Sequence, residues 1–212
     1  MCSRTRQALY CASMTTAAPR LEERSEDHVV RLSGATWADY QRLLEIRGDR
    51  SAPRITYLEG TIEIMSPSRH HESVKSITGC LVEVFCAEHD IEFSTFGSWT
   101  IESKQHERGA EPDECYVFGE VAEPERPDLA IEVVLRSGGI DKLEVYRKLG
   151  VREVWFWRLG RFQIHVLRGD GYESVAASEV LPGIDLELHA SFLQAPTTSQ
   201  AIREYRKALR RV

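Results

Sequence analysis

The chain has 212 residues, which is long enough for one domain with a substantial hydrophobic core. Its formal net charge of −6 excludes a global electrostatic attraction for nucleic acid, but a local basic surface around an acidic site remains compatible with it. No stretch is both apolar enough and long enough to cross a membrane, so we expect no membrane partner.

The cysteines form no CxxC pair and show no spacing typical of a metal site. They are Cys2, Cys11, Cys80, Cys86 and Cys115. We interpret them as reduced thiols, which predicts a cytoplasmic protein.

The N-terminal segment differs from the rest of the chain. Residues 1–20 contain Arg4, Arg6 and Arg20 but no acidic residue, a composition that resembles a transit peptide. The simpler interpretation is a disordered tail. We therefore predict a tail over residues 1–27 and a single domain over residues 28–212.

Apolar periodicity and turn residues predict the elements of the first half of the domain. They are a strand from residue 29 to 32, a helix over 37–47, hairpin strands over 55–57 and 61–65, a helix over 69–88, strands over 91–95 and 98–103 joined by a turn, a polar loop over 104–110, and a strand over 113–118. Thr36 is a suitable N-cap for the first helix, and Glu59-Gly60 supplies the hairpin turn. Ser66-Pro67-Ser68 ends a strand and begins the second helix.

The second predicted helix has one apolar stripe. Its members are Val74, Ile77, Leu81, Val84 and Phe85. Glu72 and Glu83 fall on the opposite side, and His71 lies at the edge of the stripe. The helix is therefore expected to place a histidine near the boundary of the core.

The second half continues the mixture of strands and helices. Its predicted elements are a strand over residues 129–135, a helix over 141–149, strands over 153–157 and 162–167, peripheral strands over 172–176 and 186–188, and a basic closing helix over 198–211. The nearly continuous apolar run over 129–135 is typical of a strand that is buried on both faces. The aromatic cluster formed by Trp155, Phe156, Trp157 and Phe162 fits either the core or a homodimer surface. The order of elements predicts an α/β protein with a mixed sheet flanked by helices.

The segment from Pro112 to Lys142 carries the clearest chemical signal. It contains Pro112-Asp113, then Glu132 inside the apolar run, then Lys142 at the beginning of a helix. Carboxylates bind hard cations, and a cation together with an ammonium can stabilise the charge that develops on a phosphate under attack. These residue types therefore point to a metal-dependent phosphodiesterase.

Strand geometry indicates which carboxylates can act together. Glu132 shares a face with Ala130 and Val134, where a buried charge needs a partner. Asp128 lies on that face too, but four residues of strand span about 13 Å, too far for both carboxylates to bind one ion. Asp113 begins the preceding strand and could lie beside Glu132. Asp128 is expected to cap the loop before its own strand.

Lys142 falls within the apolar arc of its helix, between Tyr146 and Leu149. A lysine on an inward face needs a partner, which could be Glu132, a metal ion or a phosphate. Simpler alternatives remain open for each residue because Asp, Glu and Lys are common. Asp113 could be a turn residue, Glu132 and Lys142 a structural ion pair, and His71 an ordinary half-buried histidine.

A longer ordered pattern surrounds these residues between Tyr57 and Trp157. It consists of Tyr57-Leu58-Glu59-Gly60, Met65-Ser66-Pro67-Ser68, His71, Pro112-Asp113, Pro127-Asp128-Leu129, Ile131-Glu132-Val133, Ser137, Lys142, Tyr146, Gly150-Val151 and Glu153-Val154-Trp155. In this combination the chain resembles the Uma-type restriction-endonuclease-like proteins, a bacterial group within the PD-(D/E)XK nuclease superfamily.

The resemblance implies a restriction-endonuclease-like fold with a central mixed β-sheet between helices. It implies that Asp113 matches the Asp of the PD motif and that Glu132 matches the D/E position. The superfamily usually has a lysine two residues after that acid, where this chain has Val134. Lys142 matches the lysine that the Uma-type pattern places on the following helix, and His71 matches a recurrent histidine.

The resulting expectation is an endonuclease that hydrolyses DNA with Mg²⁺ or Mn²⁺. Asp113, Glu132 and the Val133 carbonyl would bind the ion, Lys142 would orient water or stabilise the transition state, and His71 would hydrogen-bond a carboxylate or the phosphate. The alternative is a nuclease fold kept as an inactive binding module, favoured by Val134 and the net charge. A homodimer is compatible with either.

Overall fold

A computed structural model of the chain describes residues 26–97, 99–135 and 138–211. Nearly all of the predicted tail, and Ser137 of the motif pattern, lie outside the described residues. Asp27, the last residue of the predicted tail, is buried against the domain. None of the described helices is long and apolar enough to span a membrane.

The described part of the chain contains strands and helices in mixed order. The strands are β1 His28–Ser33, β2 Arg54–Leu58, β3 Thr61–Ser66, β4 Phe93–Thr95, β5 Ile101–Ser103, β6 Arg108–Ala110, β7 Glu114–Phe118, β8 Leu129–Val134, β9 Glu153–Arg158, β10 Arg161–Arg168 and β11 Gly171–Val175. The helices are α1 Trp37–Arg47, α2 Arg69–Glu88, α3 Lys142–Leu149, α4 Leu186–Ser191 and α5 Thr198–Leu209.

The strands form two sheets. A five-stranded antiparallel sheet has the order β1-β3-β2-β6-β5, and a six-stranded sheet has the order β11-β10-β9-β8-β7-β4. In the larger sheet β8 and β9 are parallel and α3 connects them, whereas the other neighbouring strands are antiparallel. The predicted α/β class with a mixed sheet and flanking helices is confirmed, and the structure adds a second sheet.

Strand β8 separates two parts of the hydrophobic core. Leu129, Ile131 and Val133 pack on the side of α2 and α5, and Ala130 packs on the side of α3. Glu132 alternates with the first set, so its carboxylate lies on the α3 side. The aromatic cluster belongs to the core, since Trp155 and Trp157 are buried.

Local capping explains where the helices that carry the site begin. The Ser68 hydroxyl accepts a hydrogen bond from the His71 backbone N–H and so caps α2. Asp141 caps α3, which ends at Gly150 with a left-handed φ of 71°. Lys142 is therefore fixed at the first position of its helix.

Three predicted elements were wrong. Residues 186–188, predicted as a strand, begin α4, because the Asp185 carboxylate accepts hydrogen bonds from two backbone N–H groups and nucleates a helix. The predicted polar loop over 104–110 contains β6. Strands β4 and β5, predicted to turn into each other, lie in different sheets because β4 pairs with β7 and β5 with β6.

Candidate active site

The antiparallel pairing of β7 and β8 brings Asp113 and Glu132 together. Glu114 is opposite Ile131, so Asp113, just before β7, lies beside Glu132. The Val133 backbone N–H donates a hydrogen bond to Asp113 Oδ2 at 2.6 Å. Both carboxylates are buried, with only 1% of Asp113 and 4% of Glu132 exposed. Asp113 therefore lies immediately before β7, next to Glu132 on the neighbouring strand β8.

Helix α3 supplies the partners of Glu132. Lys142 Nζ lies 3.1 Å from Glu132 Oε1, and the Tyr146 hydroxyl donates a short hydrogen bond to the same oxygen. Burial raises the pKa of Glu132, and the positive charge of Lys142 opposes that rise. The contact of Tyr146 with Glu132 was not predicted from the sequence. The signal for it was that Tyr146 lies on the same arc of α3 as Lys142.

His71 bridges two carboxylates. Its Nε2 lies 3.0 Å from Asp113 Oδ1, and its Nδ1 lies 2.9 Å from Asp27 Oδ2. The side chain is completely buried, deeper than the boundary position that the helical pattern predicted. Burial alone would lower the pKa of His71, but the two carboxylates raise it to about 9. His71 is therefore an imidazolium at neutral pH.

Arg54 completes the surroundings of Asp113. Its Nη1 lies 2.8 Å from Asp113 Oδ1, and its Nη2 lies 3.1 Å from Glu72 on α2. Burial alone would raise the pKa of Asp113, but the hydrogen bond from His71 and the charge of Arg54 lower it to about 2. Neither Arg54 nor Asp27 carries a local sequence signal, because each reaches the site only through the folding of distant strands.

The site opens into a cavity of about 510 Å³. Its lining includes Arg54, Glu63, Glu132, Lys142, Arg158 and His165. The Asp113 side chain is enclosed behind this wall. Glu132 and Lys142 therefore form the part of the site that a ligand in the cavity would meet first.

The described residues contain no group of three or more His, Cys, Asp or Glu side chains arranged to hold a metal ion. Asp113, Glu132 and the Val133 backbone nevertheless offer the oxygen donors that hard divalent cations take, and such ions often keep several waters. Arg54 and His71 contact one oxygen of Asp113, so an ion there would compete with two cations. The oxygen donors of Asp113, Glu132 and Val133 are of the type that binds a hard divalent cation.

The chain is similar to a protein family and to solved structures. Residues 37–195 match the model of the Uma2 family, described as "Putative restriction endonuclease". No curated protein matches the chain. A crystal structure from Anabaena variabilis, described as "a putative nuclease belonging to DUF820", aligns with a TM-score of 0.45 and 16% identity, covering 76% of this chain and 96% of that one.

Proposed function

The chain belongs to the Uma2 family, and on that premise we propose that it is a metal-dependent endonuclease that hydrolyses the phosphodiester bonds of DNA. One observation carries the proposal. Glu132, which lies beside Asp113, pairs with the Lys142 ammonium at the wall of a cavity. This grouping combines oxygen donors for a cation with a positive charge for a phosphate.

A divalent cation would be held by Asp113, Glu132 and the Val133 carbonyl, and it would supply an activated water and neutralise phosphate charge. Arg54 and His71 keep Asp113 ionised at neutral pH. Tyr146 and Lys142 fix the Glu132 carboxylate in one orientation. The Lys142 ammonium, 15% exposed, orients the attacking water or donates to a phosphate oxygen as negative charge develops there.

Plasmid cleavage in Mg²⁺ or Mn²⁺ tests this proposal. Asp113→Asn, Glu132→Gln and Lys142→Ala should each lower the rate by at least about a hundredfold, because each removes a group at the reacting centre. Lys148→Ala is the matched control, since Lys148 lies on the same helix but pairs with the exposed Asp170. Cleavage that survives all three site substitutions would remove the proposal.

A second candidate is a nuclease fold that binds without turnover. It is favoured by Val134 at the usual lysine position and by the enclosure of Asp113 between Arg54 and His71. Titration calorimetry with Mg²⁺ and Mn²⁺ separates the two functions. The endonuclease should show binding heat that Glu132→Gln abolishes, whereas the inactive module should show no carboxylate-dependent heat.

The homodimer and the cytoplasmic location stay predictions from the sequence. Light scattering of the purified protein would establish the oligomeric state.

A further inference from the structure

Arg158 differs from the other cationic side chains of the cavity. Each of the other three lies within 3.1 Å of a carboxylate; the pairs are Arg31–Glu63, Arg54–Asp113 and Lys142–Glu132. Within the part of the chain that the structure describes, Arg158 has no ion pair, and its Nε, like that of Arg54, is buried without a hydrogen-bond partner. A buried guanidinium nitrogen without an acceptor is unfavourable, so this group is prepared for an anion that the chain itself does not provide.

The acids that line the same cavity are already engaged. Three of them form ion pairs, namely Asp27 with His71, Glu63 with Arg31 and Glu132 with Lys142, and the fourth, Asp141, caps α3. None of these carboxylates contacts Arg158 among the described residues. The positive charge of Arg158 therefore lies at the cavity wall, and no described carboxylate neutralises it.

The position of Arg158 relative to the reacting centre follows from strand register. In the parallel pairing of β8 with β9, Glu132 is opposite Phe156 and Val134 is opposite Arg158. Side chains two residues apart share a face, so Arg158 projects on the same face as Glu132. Strand spacing and rise place the two Cα atoms about 8 Å apart. An arginine side chain at that distance reaches a neighbouring group of a ligand bound at Glu132.

We propose that Arg158 binds a DNA backbone phosphate adjacent to the one placed at Glu132 and Lys142. The choice of ligand rests on the proposed function. The planar guanidinium matches phosphate oxygens with paired hydrogen bonds. A phosphate contact positions the strand without reading its sequence. Arg158 is thus a substrate-positioning residue on β9, on the same face of the sheet as Glu132.

Binding measured without cleavage tests this assignment. Fluorescence anisotropy would follow two short DNA duplexes of unrelated sequence in EDTA, over a range of salt concentrations. Arg158→Gln should weaken binding of both duplexes about tenfold and lower the slope of log Kd against log salt by about one. Arg158→Lys should restore the salt slope because it keeps the charge, but only part of the affinity because an ammonium cannot form the paired hydrogen bonds. Arg42→Gln is the control, since the Arg42 side chain is 72% exposed on α1.

The outcomes separate this inference from the function on which it rests. Unchanged affinity and slope in Arg158→Gln would overturn the assignment, even if the wild-type protein cuts DNA. A loss confined to one of the two sequences would also overturn it, because it would indicate a base contact. An Arg158-dependent salt slope in a protein that never cuts DNA would support the phosphate site and remove the nuclease proposal. Absence of DNA binding by the wild-type protein would remove both.

Discussion

Tyr146 is the neutral donor to the Glu132 carboxylate, and its hydroxyl serves no other described group. Tyr146→Phe should lower the cleavage rate about tenfold, because Glu132 loses a contact that fixes its orientation, and should lower the free energy of unfolding by about 1 kcal/mol. Plasmid cleavage and urea unfolding measure the two effects.

Tyr172→Phe is the matched control for this prediction. The Tyr172 hydroxyl donates to the Val151 carbonyl at 2.6 Å, in a hydrogen bond that does not involve Glu132. This variant should lose similar stability and keep its cleavage rate. Equal rate losses in the two variants would show that Tyr146 acts only through stability.

His189 predicts a loss of stability in acid. It is completely buried against Phe162 and Tyr205, and burial lowers its pKa to about 3 from an ordinary value near 6.5. In the unfolded chain His189 is protonated as the pH falls below about 6.5, whereas in the folded chain it is protonated only near pH 3. The stabilisation is complete above pH 6.5 and is lost as the pH falls through that window, by at most about 1.4 kcal/mol per pH unit.

Urea unfolding between pH 6.5 and 4.5 measures this dependence. His189→Gln should show a shallower fall in the free energy of unfolding, because the carboxylates that titrate in both proteins are unchanged. Parallel pH profiles for the two proteins would contradict the assignment to His189.

At the scale of elements, Glu63 on β3 holds the segment that leads into α3. Its Oε2 accepts hydrogen bonds from the Ile140 backbone N–H at 3.1 Å and from Arg31 Nε at 2.8 Å. A methyl group on Gly139 would approach the same oxygen to 3.3 Å, so the backbone packs directly against the carboxylate. Glu63 thus connects the five-stranded sheet to the helix that carries Lys142.

Glu63→Ala should release that segment. Hydrogen exchange of the Ile140 amide should become at least about tenfold faster, and cleavage should fall about tenfold as Lys142 loses its fixed position. Glu45→Ala is the control, because Glu45 forms an exposed ion pair on α1. Equal hydrogen-exchange rates of the Ile140 amide in Glu63→Ala and the wild-type protein would contradict this prediction.

Elements whose signals are local were predictable from the sequence. Helices α1 and α2 have their predicted bounds because Thr36 and Ser68 cap them directly before their first residues. Residues 186–188 are too few for an alternating pattern to decide between strand and helix, and the cap at Asp185 decided it.

The same distinction applies to the site. Asp113, Glu132 and Lys142 belong to consecutive elements, so their proximity could be argued from strand pairing and one helical arc. Arg54 and Asp27 come from the smaller sheet and the segment before it, and only the packing of the two sheets places them there. Arg158 could not be singled out because its significance lies in the lack of a described acid around it.

At the scale of the whole molecule, Asp113 joins the two sheets. It precedes β7 of the larger sheet and contacts Arg54 on β2 of the smaller one, as well as His71 on α2. Asp113→Asn should lower the free energy of unfolding by about 3 kcal/mol, because two buried cations, Arg54 and His71, each lose one of their two anions.

Glu132→Gln is the comparison for that prediction. Its lysine partner is 15% exposed and can turn toward water, so the loss of stability should be smaller. Urea unfolding of both variants at pH 7 measures the difference. A smaller loss for Asp113→Asn than for Glu132→Gln would contradict the bridging role.

The bond between His71 and Asp27 also bears on how the protein is prepared. Asp27 immediately precedes β1, the edge strand of its sheet, and Asp27 also accepts a hydrogen bond from the Ser68 backbone N–H that begins α2. Proteolytic trimming that reaches residue 28 would remove the second anion beside the imidazolium and the acceptor of the Ser68 N–H. A preparation shortened in this way would be detected by mass spectrometry, and in it His71 would keep only Asp113 as a carboxylate partner.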